Sequence, residues 1–311
     1  MTPIVSRRGF VGGVAAAVAG LTLPPDREWK LGRAPRPMAL QQAGDEYDAL
    51  AKLANNENPY GPSESVLEAM TRAFKYANRY GYPDGDITEE IARHHGVKPE
   101  QIMLGAGSSE ILDVACSALL LDDRKVVGSD PSYDMLYQHA TGLKADQIKV
   151  PLLEGYRQDI PGLIRAVKAR HRDVGFLYLC NPNNPTGGIV PKQEVARLLE
   201  EIPEDVPVVI DEAYHHFVVD PAYATAMPYV LEGRPVIITR TFSKIFGLAG
   251  MRLGYAVSSR DLIQRLRPYA ATLSVNAIVK WAGVAALRDT ASEARVKRTT
   301  LDLRDRTTAE L

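Results

Sequence analysis

The run Val236-Ile237-Ile238-Thr239 leads into Thr241-Phe242-Ser243-Lys244-Ile245-Phe246-Gly247-Leu248-Ala249-Gly250-Met251-Arg252-Leu253-Gly254, a small, hydroxyl-rich loop. The loop carries a lysine, and an arginine follows eight residues later. A lysine so placed suits Schiff-base chemistry, because its neutral amine attacks carbonyls, and the arginine suits a phosphate. Taken alone, a Ser-Lys pair is better read as a solvated surface charge. The rest of the chain decides between the two.

Three more short apolar runs, Lys125-Val126-Val127, Val174 to Cys180 and Val206 to Ile210, have turn residues on both sides. Helical periodicity alternates with them. Ser63 to Ala77 starts with a capping candidate after Pro62 and places Val66, Leu67, Met70, Ala73 and Phe74 at helical spacing; Glu110 to Leu121 and Gln193 to Ile202 are apolar-faced in the same way. The alternation predicts an α/β fold with a parallel sheet covered on both faces. Ligands of such sheets bind beyond the carboxyl ends of the strands, so Asn181, Asp211 and Lys244 are expected to point into one crevice.

Three loops carry the chemistry. Gly105-Ala106-Gly107-Ser108-Ser109-Glu110 joins Ile102-Met103-Leu104 to a helix starting near Ser109. Glycines let the backbone approach a ligand, and a helix start offers unpaired N–H groups to a phosphate; a capped helix after a tight turn is the plainer alternative. Asn181-Pro182-Asn183-Asn184-Pro185-Thr186-Gly187 is a turn stiffened by two prolines, and its amides suit a ring substituent such as a phenolate oxygen. Asp211-Glu212-Ala213-Tyr214 ends an apolar run, where a buried carboxylate needs a partner such as a protonated ring nitrogen, or else caps the next helix.

In order with Leu53-Ala54-Asn55-Asn56-Glu57-Asn58-Pro59-Tyr60-Gly61-Pro62, Tyr82-Pro83-Asp84 and Pro131-Ser132-Tyr133, these motifs resemble the fold type I pyridoxal-phosphate enzymes. Within them the chain is similar to the histidinol-phosphate aminotransferase-like group of class I/II, over roughly residues 50–290. The resemblance implies a mostly parallel sheet flanked by helices, with a small C-terminal domain. It implies that Lys244 forms a Schiff base with pyridoxal 5'-phosphate and later moves the substrate proton. Asp211 would pair with the pyridinium nitrogen, Asn184 and Tyr214 would hold the ring's 3-oxygen, and Tyr133 would stack on the ring. Gly107, Ser108, Ser109, Thr241, Ser243 and Arg252 would form the phosphate site. A homodimer with shared active sites is implied, in which Tyr82 reaches the phosphate and Tyr60 the substrate of the neighbouring subunit. Asn55 and Asn58 would shape the entrance, with Asn58 and Asn184 on the substrate side. The activity implied is transfer of an amino group from an amino acid, or a histidinol phosphate-like amine, to a 2-oxo acid; decarboxylase or lyase chemistry uses the same electron sink.

Residues 1–25 contain Ser6-Arg7-Arg8-Gly9-Phe10-Val11-Gly12 ahead of a weakly apolar Gly/Ala-rich run and Pro24-Pro25. Paired arginines, a nearby aromatic and a hydrophobic stretch too short to span a bilayer look like a twin-arginine export signal, which implies a periplasmic protein with no stable membrane association. Residues 26–50 read as an arm or linker, 51–265 as the large cofactor-binding domain, and 266–311 as the start of a small domain. That last part is expected to be truncated, short of the arginine that grips the substrate carboxylate in the family. Its Arg295, Lys297, Arg298, Arg304 and Arg306 read as a solvated helix face, and a catalytically impaired cofactor-binding fragment is the alternative that follows. A net charge of -1 gives no sign of a nucleic-acid partner, and no metal is expected. Cys116 and Cys180 lie in apolar runs and are expected as buried thiols without a disulfide.

Overall fold

The computed structural model describes residues 53–311; residues 1–52, with the expected export signal and arm, lie outside them. The strands are β1 (Ile102–Gly105), β2 (Lys125–Asp130), β3 (Gln147–Pro151), β4 (Val174–Cys180), β5 (Val208–Asp211), β6 (Val236–Thr241) and β7 (Gly254–Val257). They form one sheet in the order β1-β7-β6-β5-β4-β2-β3. Strand β7 is antiparallel to β1 and β6, and every other pairing is parallel. The four apolar runs became β2, β4, β5 and β6. Strand β3 was not legible because it is a half-exposed edge, and β7 because it is only Gly-Tyr-Ala-Val.

The central strands explain why the sheet is covered on both faces. All seven residues of β4 are buried. Leu177 and Leu179 join Val208, Ile210, Val236 and Ile238 in one core, while Phe176 and Tyr178 join Val209 and Ile237 in the other. That is the two-residue alternation of a strand, applied to a strand with no polar face. Each such buried side chain contributes about 1.5–3 kcal/mol. Cys116 and Cys180 are both buried, and burial pushes each thiol up to about 12.

The helices are α1 (Glu64–Ala73), α2 (Ile87–His95), α3 (Ser108–Leu119), α4 (Met135–Gly142), α5 (Ile160–Ala169), α6 (Lys192–Glu201), α7 (Met227–Leu231), α8 (Arg260–Leu266), α9 (Ala277–Arg288) and α10 (Thr290–Glu310). Helix α9 starts where the Asn276 side chain accepts the Val279 N–H at 3.0 Å, and it packs Val279 and Ala282 into the core that holds Val66 and Ile87. Helix α10 starts on Asp289, which accepts from Ser292. Among its residues Val296 is buried, and Lys297 Nζ donates to the Val218 carbonyl at 3.1 Å.

A charged cluster lies inside the fold next to β5 and β6. Glu212 is 1% and Arg240 5% exposed at the side chain, and Arg240 donates to Glu212 through Nε at 3.1 Å and Nη2 at 2.7 Å. Thr225 Oγ1 and the Ala226 N–H also donate to Glu212. Both carboxylate oxygens of the buried Glu212 are therefore hydrogen-bonded, which favours keeping its charge out of water. The Arg240 charge acts on His94, His95, His215 and His216. Burial first, and then that charge, depresses all four, His95 and His216 to about 3.

An acid-sensitive fold follows. Unfolded histidines protonate near 6.5, so between about 6.5 and about 3 the unfolded chain binds more protons than the folded one. Their contribution is complete above that window and is lost as pH falls through it. Asp211, raised by burial to about 6 from 3.8, opposes this, since its contribution weakens as pH rises through that interval. Burial also raises Glu293, and the four histidines outweigh these two carboxylates. The urea midpoint should be lower at about pH 5 than at about pH 7, and an equal or higher midpoint in acid would refute the buried neutral histidines.

Candidate active site

The carboxyl ends of β4, β5 and β6 lie in register, with Cys180 opposite Asp211 and Asp211 opposite Thr239. The loops that leave these ends line a cavity of about 500 Å³. Asn184 comes from the first, Asp211 and Tyr214 from the second, and Thr241, Ser243, Lys244 and Arg252 from the third; Ser108 and Ser109 enter from the start of α3, and Tyr133 from the loop after β2. A parallel sheet gathers residues distant in sequence at one edge.

Lys244 sits in the middle. Its Nζ donates to the Asn55 carbonyl at 2.8 Å and lies 5.6 Å from the centre of the Tyr214 ring. Burial lowers its pKa, with Glu57 opposing and Arg252 assisting, so more of the amine is neutral than in a surface lysine. Asp211 is 2% exposed and accepts from the Tyr178 hydroxyl at 3.3 Å and the Ala213 N–H at 3.2 Å. Its elevated pKa of about 6 means that a cation beside it would be welcome. The Tyr214 hydroxyl accepts from the Asn56 amide at 3.1 Å, while burial raises its pKa.

The opposite end is built for an anion. Arg252 Nη2 donates to Ser109 Oγ at 3.0 Å and to the Ala106 carbonyl at 3.1 Å, and Nη1 to the Ala249 carbonyl at 3.0 Å and Ser243 Oγ at 3.4 Å. Thr241 Oγ1 accepts from the Ser243 N–H at 3.0 Å, fixing the hydroxyl loop. Ser108 and Ser109, the first residues of the 12-residue α3, line the same cavity, and a helix start offers unpaired N–H groups. Gly107 precedes that helix at φ 84°, and a side chain there would collide with the Arg252 guanidinium. Gly107→Ala should therefore cost at least about tenfold in affinity for a phosphorylated ligand, equivalent to roughly 1.4 kcal/mol. A cofactor titration followed by absorbance checks this, and unchanged affinity would show that the cradle is not where the phosphate sits.

Some expected residues lie elsewhere. Asn181 does not line the cavity; its side chain accepts from the Val190 N–H and donates to the Val190 carbonyl, bracing the loop. Asn183 is likewise structural, accepting from Ser132 at 2.8 Å and donating to the Pro131 carbonyl. The carboxyl-end argument placed the right loops, but a strand-end amide with backbone partners in reach folds back onto them. Asn58 braces the segment over Lys244, donating to the Ile245 carbonyl at 3.2 Å, and is absent from the cavity wall. Tyr60 and Tyr82 are 59% and 74% exposed and lie off this cavity. Sequence reasoning gave no role to Asn56, and it did not foresee that Asn55 would act through its carbonyl. The polar run Asn55-Asn56-Glu57-Asn58 was the available signal.

The site thus combines an amine, a buried carboxylate, an aromatic wall and an anion cradle, which fits pyridoxal 5'-phosphate. The sequence model of the family described as aminotransferase class I and II matches residues 49–311. The chain belongs to that family. It is 36% identical over 245 residues to the histidinol-phosphate aminotransferase of Caldicellulosiruptor saccharolyticus, covering 78% of this chain and 67% of that protein. The Moorella thermoacetica histidinol-phosphate aminotransferase is 38% identical over 244 residues, with 77% and 62% covered. The chain therefore spans about two thirds of the length of the curated relatives it matches. Among solved structures, the Sinorhizobium meliloti histidinol-phosphate aminotransferase in complex with pyridoxal-5'-phosphate is 30% identical, with TM-score 0.76 over 81% of this chain and 68% of that one. This class I and II aminotransferase fold is the α/β architecture expected from the sequence.

Proposed function

We propose that the protein is a pyridoxal 5'-phosphate-dependent aminotransferase that moves an amino group from an amino acid, or a histidinol phosphate-like amine, to a 2-oxo acid. The observation that carries this reading is that Lys244, Asp211 and the Arg252 cradle face one cavity of about 500 Å³. When bound, the cofactor supplies the carbonyl that carries the amino group and the ring that withdraws electrons from the α-carbon. Arg252, Ser109, Ser243 and the start of α3 would hold its phosphate, and Asp211 would pair with its ring nitrogen. Asn184 and Tyr214 would hold the ring oxygen, and Tyr133 would lie against the ring. Lys244, with its lowered pKa, supplies the amine that takes a proton from the substrate α-carbon and returns it to the adjoining position.

The test is a visible spectrum of the protein with pyridoxal phosphate, recorded during addition of amino acids and histidinol phosphate. A band that changes with one donor and returns with a 2-oxo acid supports transamination and names the donor. Release of carbon dioxide or ammonia instead would redirect the assignment to decarboxylase or lyase chemistry.

Export and assembly belong to the same proposal. The Arg7-Arg8 pair and its flanking segment support passage through the twin-arginine route to the periplasm; replacing both arginines by lysine should leave the protein in the cytoplasm, and unaltered export would refute the signal. Exposed Tyr60 and Tyr82 support a homodimer in which each completes the neighbouring site. Sedimentation that finds an active monomer would remove that role.

A further inference from the structure

The sheet face that holds Phe176, Tyr178, Val209 and Ile237 ends, at the cavity, in Asp211. Residues two apart on a strand share a face, so Asp211 and Val209 point the same way. Tyr178 pairs with Val209 from the neighbouring β4, two residues short of Asp211, and a long side chain that leans along its strand reaches the carboxylate. Tyr178 is wholly buried and does not line the cavity; its hydroxyl donates to Asp211 Oδ2 at 3.3 Å. The Ala213 N–H donates to Oδ1 at 3.2 Å, so each carboxylate oxygen has one donor. Thr239 stands opposite Asp211 on β6, but its buried hydroxyl makes no hydrogen bond.

The Tyr178 ring is itself held in place. The Tyr137 ring, from α4, meets it edge-on, with 6.1 Å between centres and 89° between planes, and the Tyr137 hydroxyl donates to the Ser129 carbonyl at 2.7 Å. Gly128 pairs with Tyr178 between β2 and β4, and a side chain there would collide with the Tyr137 hydroxyl. Phenylalanine would fill the space of Tyr178 without burying a hydroxyl. A buried hydroxyl needs a partner, and the hydrogen bond that Tyr178 makes is to Asp211.

We propose that Tyr178 is a positioning residue: from behind the cavity wall its hydroxyl keeps Asp211 ionised and turned toward the ring nitrogen of the bound cofactor. The inference rests on the aminotransferase reading. A hydrogen bond donated to a carboxylate favours its charged form. Burial pulls the other way and, with the neighbouring Glu212, raises Asp211 to about 6. The tyrosine keeps its own proton, since burial holds that hydroxyl well above its ordinary value, and so it remains a donor wherever the enzyme works. Without it Oδ2 has no donor, the charged form loses support, and Asp211 holds a proton to higher pH. A protonated Asp211 offers no charge for a ring nitrogen to pair with. The other ionisable groups around Asp211, namely Glu212, Cys180, Tyr133, Tyr214 and Lys244, stay in place when one oxygen is removed from Tyr178.

The experiment follows the proton on Asp211 in the full chain without cofactor, as the infrared band of a protonated carboxyl that the Asp211→Asn variant lacks. Wild type, Tyr178→Phe and Tyr137→Phe are titrated; each change removes one oxygen and keeps the ring, so the fold should survive. In Tyr178→Phe the midpoint should rise by about one pH unit or more, the size expected when a carboxylate loses a hydrogen bond. In Tyr137→Phe, whose hydroxyl serves a backbone carbonyl, it should stay at the wild-type value. With pyridoxal phosphate added and followed by absorbance, Tyr178→Phe should bind roughly threefold more weakly than wild type at about pH 6.5, and the gap should close near about pH 8.5, where Asp211 is ionised in both. An unmoved midpoint in Tyr178→Phe, or equal shifts in the two variants, would overturn the role. A shifted midpoint in a protein that binds no pyridoxal phosphate at any pH would sink the aminotransferase reading instead and leave Tyr178 as the group that sets the charge of Asp211.

Discussion

Lys244→Ala should abolish transamination, lowering turnover by ~10⁴-fold or more, because in the proposed mechanism one side chain would be both the nucleophilic amine and the proton carrier, and positioned proton transfer alone gives about 10²–10⁴. The fold should survive. The side chain is half-buried and its one hydrogen bond, to the Asn55 carbonyl, is of a kind worth about 1 kcal/mol net. Lys244→Arg is the sharper variant, since it keeps a cation and a donor for Asn55 but cannot give up its proton near neutrality. It should be as inactive as the alanine variant while still folding. Measurable turnover in the arginine variant would mean that charge or the Asn55 contact, and not an amine that titrates, is what the site requires. Phosphate binding at Arg252 should persist in both variants, so phosphate affinity provides a control independent of activity.

Arg240→Met should destabilise the protein by about 3–5 kcal/mol, the range for removing one member of a buried ion pair. Glu212 would be left as an almost fully buried carboxylate with only Thr225 and Ala226 as donors. Against a total stability of roughly 5–15 kcal/mol, that is enough to unfold much of the population. The double variant Glu212→Leu/Arg240→Met should recover most of the loss, because replacing both charges by apolar groups removes the desolvation cost along with the attraction. Denaturant midpoints of the three proteins measure this. A single variant within about 1 kcal/mol of wild type would show that water reaches Glu212. Asp211 neighbours Glu212 in the chain and ends β5, so the pair also sets the position of the cavity carboxylate.

How much was legible follows from where the physics is local. Runs such as Val174 to Cys180 announce a buried strand because burial on both faces leaves no place for a polar residue, and β4 has these bounds. Lys244 and Asp211 were found because each stands just past such a run, and Arg252 through its motif. Asn181 was misplaced because an amide at a strand end has two uses, and the choice depends on whether Val190 passes within reach. Arg304 was read as part of a solvated helix face, and its side chain is 54% exposed.

The sequence by itself determined the alternating α/β plan, the class I and II aminotransferase family and most of the polar residues that line the cavity, since strand periodicity, proline-stiffened turns and glycine-limited loops act over a few residues. Only the tertiary structure decided that Asn55 and Asn56 reach Lys244 and Tyr214 and that Arg240 neutralises Glu212. Those outcomes depend on contacts between segments up to 189 residues apart, whose geometry is set by the packing of the whole sheet.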